Sequence, residues 1–176
     1  MLLLALITLL PLITASPTPR AFIPPGASLV SIHPRTHADQ CLDVAGGVAN
    51  MHNVVIAPCS NAQSQQWYVL KDSPTYILSS VDHTLCVDAG TNPLAGYHPG
   101  NGGIAKLMLC PSDNWPSPYD SPDGRKWRYN AQFTQLNTNF CLDLADGSVT
   151  GKVQIWDCHD QCHPDYKNQV WDFTYH

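Results

Sequence analysis

The chain repeats itself three times, and this repeat limits the folds open to it more than any other feature. Cys41-Leu42-Asp43-Val44-Ala45, Cys86-Val87-Asp88-Ala89-Gly90 and Cys141-Leu142-Asp143-Leu144-Ala145 are versions of one segment. A β-prone stretch precedes each (SLVSIHP, TYILSSV, AQFTQLN), and a glycine-bearing turn follows each (Gly46-Gly47, Gly90, Gly147). An apolar strand then runs to a second cysteine: VVIAPC ending at Cys59, IAKLMLC at Cys110 and KVQIWDC at Cys158. Each unit closes on a tryptophan, in Gln65-Gln66-Trp67, Arg125-Lys126-Trp127 and Gln169-Val170-Trp171. One unit of about four short strands cannot bury its own apolar face. Three units around a pseudo-threefold axis share one core, filled by the recurring tryptophans and aliphatic positions, and closure hides the strand edges. The expected class is all-β.

The middle unit is the longest. Its extra residues lie in GTNPLAGYHPGNGG before Cys110 and PSDNWPSPYDSPDG after it. Both segments are turn-rich and read as surface loops on an unchanged scaffold. The repeat also orders the cysteines: Cys41 is expected to pair with Cys59, Cys86 with Cys110, and Cys141 with Cys158. Each bridge closes a loop of about twenty residues, worth about 3 kcal/mol in the chain-entropy view. Cys162 is left over or competes with Cys158. The segment Cys158-His159-Asp160-Gln161-Cys162-His163 has a metal-like look. Oxidised cysteines do not ligate, however, and no second ligand cluster stands nearby, so no metal is expected.

Composition adds further limits. With 176 residues there is room for one domain of ordinary size. The 15 prolines and 11 glycines are spread throughout, so turns are frequent and long helices few. Charged residues make up 13% and the formal net charge is −5, which offers no basic footprint for nucleic acid or an anionic membrane surface. The opening MLLLALITLLPLITA carries no charge, and its apolar run is too short to span a bilayer but fits the centre of a secretory signal. Ser16-Pro17-Thr18-Pro19 follows at once and would break a buried helix. The expected organisation is a signal peptide over 1–15, a proline-rich linker over 16–27, and one domain over 28–176 with repeats at about 28–72, 73–130 and 131–176. No later segment is long and apolar enough to enter a membrane, so the expectation is a soluble, secreted, extracellular protein. The sequence leaves its oligomeric state open.

Three in-phase copies of a Cys-x-Asp element, a second cysteine and a Gln-x-Trp element resemble the ricin B-chain type lectin domain. The resemblance covers about Ser28 to His176, with Arg125 standing in place of the glutamine in the second unit. It implies a β-trefoil of three homologous repeats with pseudo-threefold symmetry. It also implies shallow sugar pockets, up to one per repeat, most often for galactose or N-acetylgalactosamine. Such a pocket uses an aspartate for the sugar hydroxyls and an aromatic ring for the sugar's apolar face. A glutamine two residues before that ring and an Asn-Gln pair before the final tryptophan complete it. The chemistry suits the residue types. A carboxylate accepts from two adjacent hydroxyls, each charge-assisted bond being worth about 1.5–3 kcal/mol, and an aromatic face gives flat apolar contact.

The third repeat carries the whole set: Asp143, Gln154, Trp156, Asn168 and Gln169, with Asp146-Gly147 shaping the turn at the edge. Core packing accounts for Trp171 but poorly for Trp156, because Ala57 and Met108 hold that position in the other repeats. The first repeat keeps Asp43 and Gln65 but has Val55, Ala57 and Ser64 at the remaining positions. The second keeps Asp88 alone, with Lys106, Met108, Gly124 and Arg125 elsewhere. The resemblance therefore implies a lectin for glycans ending in galactose or N-acetylgalactosamine, working mainly through the third repeat, with no cofactor.

Two rival readings remain at this stage. No Gly-x-Ser-x-Gly, His-Glu-x-x-His or phosphate loop is present, and the repeats use up the chain, so an enzyme is not expected. A secreted protein-binding trefoil, such as a protease inhibitor, would use the long loops of the second repeat with Tyr97, Trp115 and Tyr119. Such a protein has no need of Gln154, Trp156, Asn168 and Gln169 together.

Overall fold

The computed structural model describes residues 23–72, 74–90, 99–110, 124–149 and 152–176. Short runs of β-branched, aliphatic and aromatic residues form strands, and Gly-, Pro- and Asp-rich breaks form the turns between them. The first repeat contributes β1 (Ser28–Pro34), β2 (Gln40–Val44), β3 (Val54–Pro58) and β4 (Trp67–Val69). The second contributes β5 (Leu78–Ser79), β6 (Leu85–Asp88), β7 (Gly103–Ile104), β8 (Lys106–Leu109) and β9 (Trp127–Tyr129). The third contributes β10 (Phe133–Gln135), β11 (Phe140–Leu144), β12 (Val153–Asp157) and β13 (Trp171–Tyr175).

The first and last strands of each repeat form a six-membered ring. β1 pairs with β4, β4 with β5, β9 with β10, and β13 with β1, all antiparallel. Thr75 and Trp127 exchange two backbone bonds of 2.8 Å, and the Trp171 N–H donates to the Ala131 carbonyl at 2.9 Å, which closes the ring. The inner strands form three hairpins, β2–β3, β6–β8 and β11–β12. These hairpins meet where the Val54 N–H donates to the Ala105 carbonyl (2.9 Å) and the Ala105 N–H to Val153 (3.0 Å). The architecture is an all-β trefoil.

Its core is built from equivalent positions taken three at a time. Ile32, Ile77 and Phe133 are fully buried, as are Leu42, Val87 and Leu142, and Trp67, Trp127 and Trp171. Each indole N–H donates to the carbonyl between the cysteine and aspartate of its own repeat: Leu42 at 3.1 Å, Val87 at 3.0 Å and Leu142 at 3.0 Å. The recurring tryptophan thus buries a large apolar ring while satisfying its one polar atom, and it fastens the ring of strands to the hairpin above it. Disulfides join Cys41 to Cys59, Cys86 to Cys110 and Cys141 to Cys158, each tying the two sides of one hairpin. Cys162 is a free, exposed thiol.

One expectation is corrected. The end of the GTNPLAGYHPGNGG segment is not a loop on an unchanged scaffold. Gly103 and Ile104 form β7 and pair with Ile155 and Gln154 of β12, so the second repeat adds a strand to the third hairpin. Glycines shape the turn that leads into β7. A Cβ on Gly103 would lie 3.1 Å from the Gly100 carbonyl oxygen, and Gly102 holds a φ of +82°. The expected signal peptide and most of the linker lie outside the described residues, as do Tyr97, Trp115 and Tyr119. Among the described residues no helix is long and apolar enough to cross a membrane.

Candidate functional site

The third hairpin places its polar side chains by strand alternation. Val153 and Ile155 of β12 point into the core and are fully buried, so Gln154 and Trp156 occupy the opposite face. The register sets Gln154 across from Asp143 and Trp156 across from Cys141. Gln154 Nε2 donates to Asp143 Oδ2 at 2.8 Å, which fixes the carboxylate. Asp143 is only 4% exposed, whereas Trp156 is 36% exposed, unlike the fully buried Trp67, Trp127 and Trp171. Asn168 comes from the 3-10 turn Pro164–Gln169 and is buried.

Together these groups surround an open cleft of about 380 Å³, lined by Asp143, Asp146, Gln154, Trp156, His159, Asp165 and Asn168. The turn at one edge has Asp146 at a φ of 54° and Gly147 at 64°. Gly147 is needed for space as well as for conformation, because a Cβ there would sit 2.8 Å from Asn168 Oδ1. Burial raises the proton affinity of Asp143 above that of an ordinary carboxylate, and the amides of Gln154 and Gln169 offset part of the effect. The arrangement offers fixed acceptors and amide groups on one side and a flat aromatic surface on the other.

Of the five residues expected at the site, four line the cleft. Gln169 does not: it is fully buried behind the wall. Its Nε2 donates to the Asp157 carbonyl at 2.9 Å, and its Oε1 accepts from the His159 N–H at 2.8 Å and from Gln132 Nε2 at 3.0 Å. The first repeat shows the same device. Gln65 Nε2 donates to Asp43 Oδ2 at 2.9 Å and to the Pro58 carbonyl at 3.0 Å, while its Oε1 accepts from the Ser60 N–H at 2.8 Å. In the second repeat Arg125 takes over. Its Nε donates to Asp88 Oδ2 and its Nη1 to the Leu109 carbonyl, both at 2.9 Å. The glutamine of Gln-x-Trp is therefore a brace between the hairpin and the chain that leaves it, and arginine performs the same task.

The other two repeats surround their aspartates differently. Asp88 is wholly buried and ion-paired to Arg125, with Lys106 across the ladder where Gln154 stands in the third repeat. Asp43 faces Val55, and its Oδ1 accepts from the neighbouring Val44 N–H at 2.7 Å. Ala57 and Met108 sit opposite Cys41 and Cys86, in register with Trp156, and supply no ring.

His159 and Asp165 are wall residues that sequence reasoning missed. Their signal was slight: His159 directly follows the last disulfide cysteine, and Asp165 sits three positions before Asn168. His159, His163 and Asp165 bring possible ligand atoms within 4.8 Å of one another. The two imidazoles are nearly parallel, 5° apart with centroids at 3.7 Å, so their in-plane lone pairs do not converge on one ion. A further support comes from the second repeat. Asn101 Nδ2 donates to Asp157 Oδ2 at 2.8 Å and Asn101 Oδ1 accepts from the Asp157 N–H at 2.7 Å, pinning the residue next to Trp156.

Comparison with known proteins agrees with the trefoil fold. The designed threefold-symmetric protein ThreeFoil superposes with a TM-score of 0.60 at 16% identity, over 83% of this chain and 97% of its own. The C-half of the earthworm R-type lectin, solved with N-acetylgalactosamine, gives 0.58 at 14% identity, over 85% and 99%. A non-toxic homologue of type II ribosome-inactivating proteins ("RIPs") from Momordica charantia, solved with α-methyl-D-galactoside, gives 0.59 at 18% identity; the match covers 85% of this chain but 49% of that one. No curated protein matches the chain in sequence. The family profile described as the ricin-type beta-trefoil lectin domain matches residues 28–161, so the chain belongs to that family.

Proposed function

We propose that this protein is a secreted, non-catalytic lectin that binds glycans ending in galactose or N-acetylgalactosamine through its third repeat. The observation that carries the proposal is the pairing, in one cleft, of a fixed Asp143–Gln154 acceptor with the exposed face of Trp156. A hexose with cis hydroxyls on one side and C–H groups on the other complements both surfaces. The earthworm and Momordica proteins, whose structures were solved with N-acetylgalactosamine and a galactoside, lend this choice of sugar their support. The three hairpin disulfides support an oxidising, extracellular setting. A single shallow site of this kind binds at about millimolar strength, near −4 kcal/mol, so firm attachment to cells requires several copies. The test is a glycan array with the oxidised protein and its Trp156→Ala variant. Binding to terminal galactose or N-acetylgalactosamine that the variant loses is the expected result. A folded wild type that binds no glycan sinks the proposal.

A further inference from the structure

We infer that the third-repeat cleft sorts sugars by charge, ranking 2-amino sugars above neutral ones and rejecting those that bear sulfate or carboxylate. The inference rests on the reading of this cleft as a sugar site and goes on to name the class of sugar it admits. Three carboxylates share the wall, Asp143, Asp146 and Asp165, and no lysine or arginine is among the described residues that line it. Lys152, just before β12, and Lys167, in the turn Pro164–Gln169, are exposed and form no part of the wall. The carboxylates act on one another: the charge of Asp165 adds to burial in raising the proton affinity of Asp143, with His159 opposing it.

Asp143 has a task already, as the anchored acceptor. The charge of Asp146 has no such task, and that of Asp165 meets only the imidazole of His163. Asp146 stands at a left-handed turn position where asparagine does equally well, so the backbone does not require its charge. Asp165 is exposed, and its carboxylate is 4.0 Å from His163, too far for a hydrogen bond. Its backbone N–H is what meets His163, donating to Nδ1 at 3.2 Å. Two negative charges without a hydrogen-bonded cation at the mouth of a cleft attract a cation and repel an anion, and such like-charge opposition is an ordinary means of rejecting wrong ligands.

The test measures dissociation constants for methyl β-galactoside, galactosamine and galactose 6-sulfate by titration calorimetry, in wild type and in Asp146→Asn/Asp165→Asn. The readout is the ratio between sugars, whatever happens to the affinity for galactoside itself. In wild type at low salt, galactosamine should bind several-fold tighter than galactoside and the sulfate about tenfold weaker, with both ratios shrinking as salt is raised. In the double variant both ratios should fall toward one. Ratios already near one in wild type, or ratios unchanged in a folded double variant, overturn the charge filter and leave the lectin reading intact. A wild type that binds none of the three sugars overturns both.

Discussion

At the residue scale, the least expected side chain is Gln135. It is fully buried in β10, and both its amide nitrogen and its carbonyl oxygen lack partners among the described residues. Burying an amide without hydrogen bonds costs about 1–3 kcal/mol, whereas an apolar side chain of similar volume carries no such cost. Gln135→Leu should therefore raise the unfolding free energy by about 1–2 kcal/mol in urea denaturation. A destabilised variant would show that a bound water satisfies the amide. Asp143 makes a second case. Its proton affinity is raised by burial, so on acidification it loses its charge at a higher pH than an ordinary carboxylate does. Galactoside affinity should weaken over that higher range, and NMR titration of the Asp143 carboxyl should report the same midpoint. Stability moves the other way. A carboxyl whose folded pKa lies above its unfolded one disfavours folding when ionised, and that cost disappears as the pH falls through the folded pKa. Loss of binding in mild acid should thus occur with no loss of fold caused by this group.

At the element scale, the third hairpin depends on a neighbour. β7 from the second repeat lengthens its sheet, and Asn101 clasps Asp157 beside the exposed ring of Trp156. Asn101→Ala removes both bonds. The strand then holds Trp156 less firmly, and galactoside affinity should fall by about threefold to tenfold while the melting temperature drops by a few degrees at most. An unchanged affinity would mean that the ladder alone orders the ring. This dependence marks the limit of what the sequence disclosed. The trefoil was legible because Cys-x-Asp and the closing tryptophan recur in phase, and the core has to be the same in each repeat. Asp143, Gln154, Trp156 and Asn168 stood out in the sequence because the third repeat alone carries all four together. The place of Gln169 behind the wall was not, since a motif does not say which way a glutamine faces. Nor was the equivalence of Arg125 with Gln65 and Gln169, because it lies in shared geometry, not in shared side-chain type. The approach of Asn101 to Asp157 is a contact between repeats, which neither repeat's own pattern encodes.

At the scale of the whole molecule, stability and the proposed recognition rest on different atoms. The tryptophans and braces hold all three hairpins alike, while the exposed ring and the carboxylates of the cleft occur on one. Binding-site changes in the third repeat should therefore cost little stability. The pairing of β1 with β13 carries a further consequence. Val30 lies opposite Tyr175, and the His176 N–H donates to the Leu29 carbonyl at 3.0 Å, so the two ends of the folded domain are neighbours. In topological terms the trefoil is a closed loop that happens to be cut between its third and first repeats. The position of the cut is immaterial to a ring of three like units. A circular permutant with a short glycine-serine bridge from His176 to Ser28 and new ends opened at Asp72 should fold and bind galactoside as the parent does. Its melting curve would measure how much of the architecture belongs to the ring and how much to the order in which the ring is made.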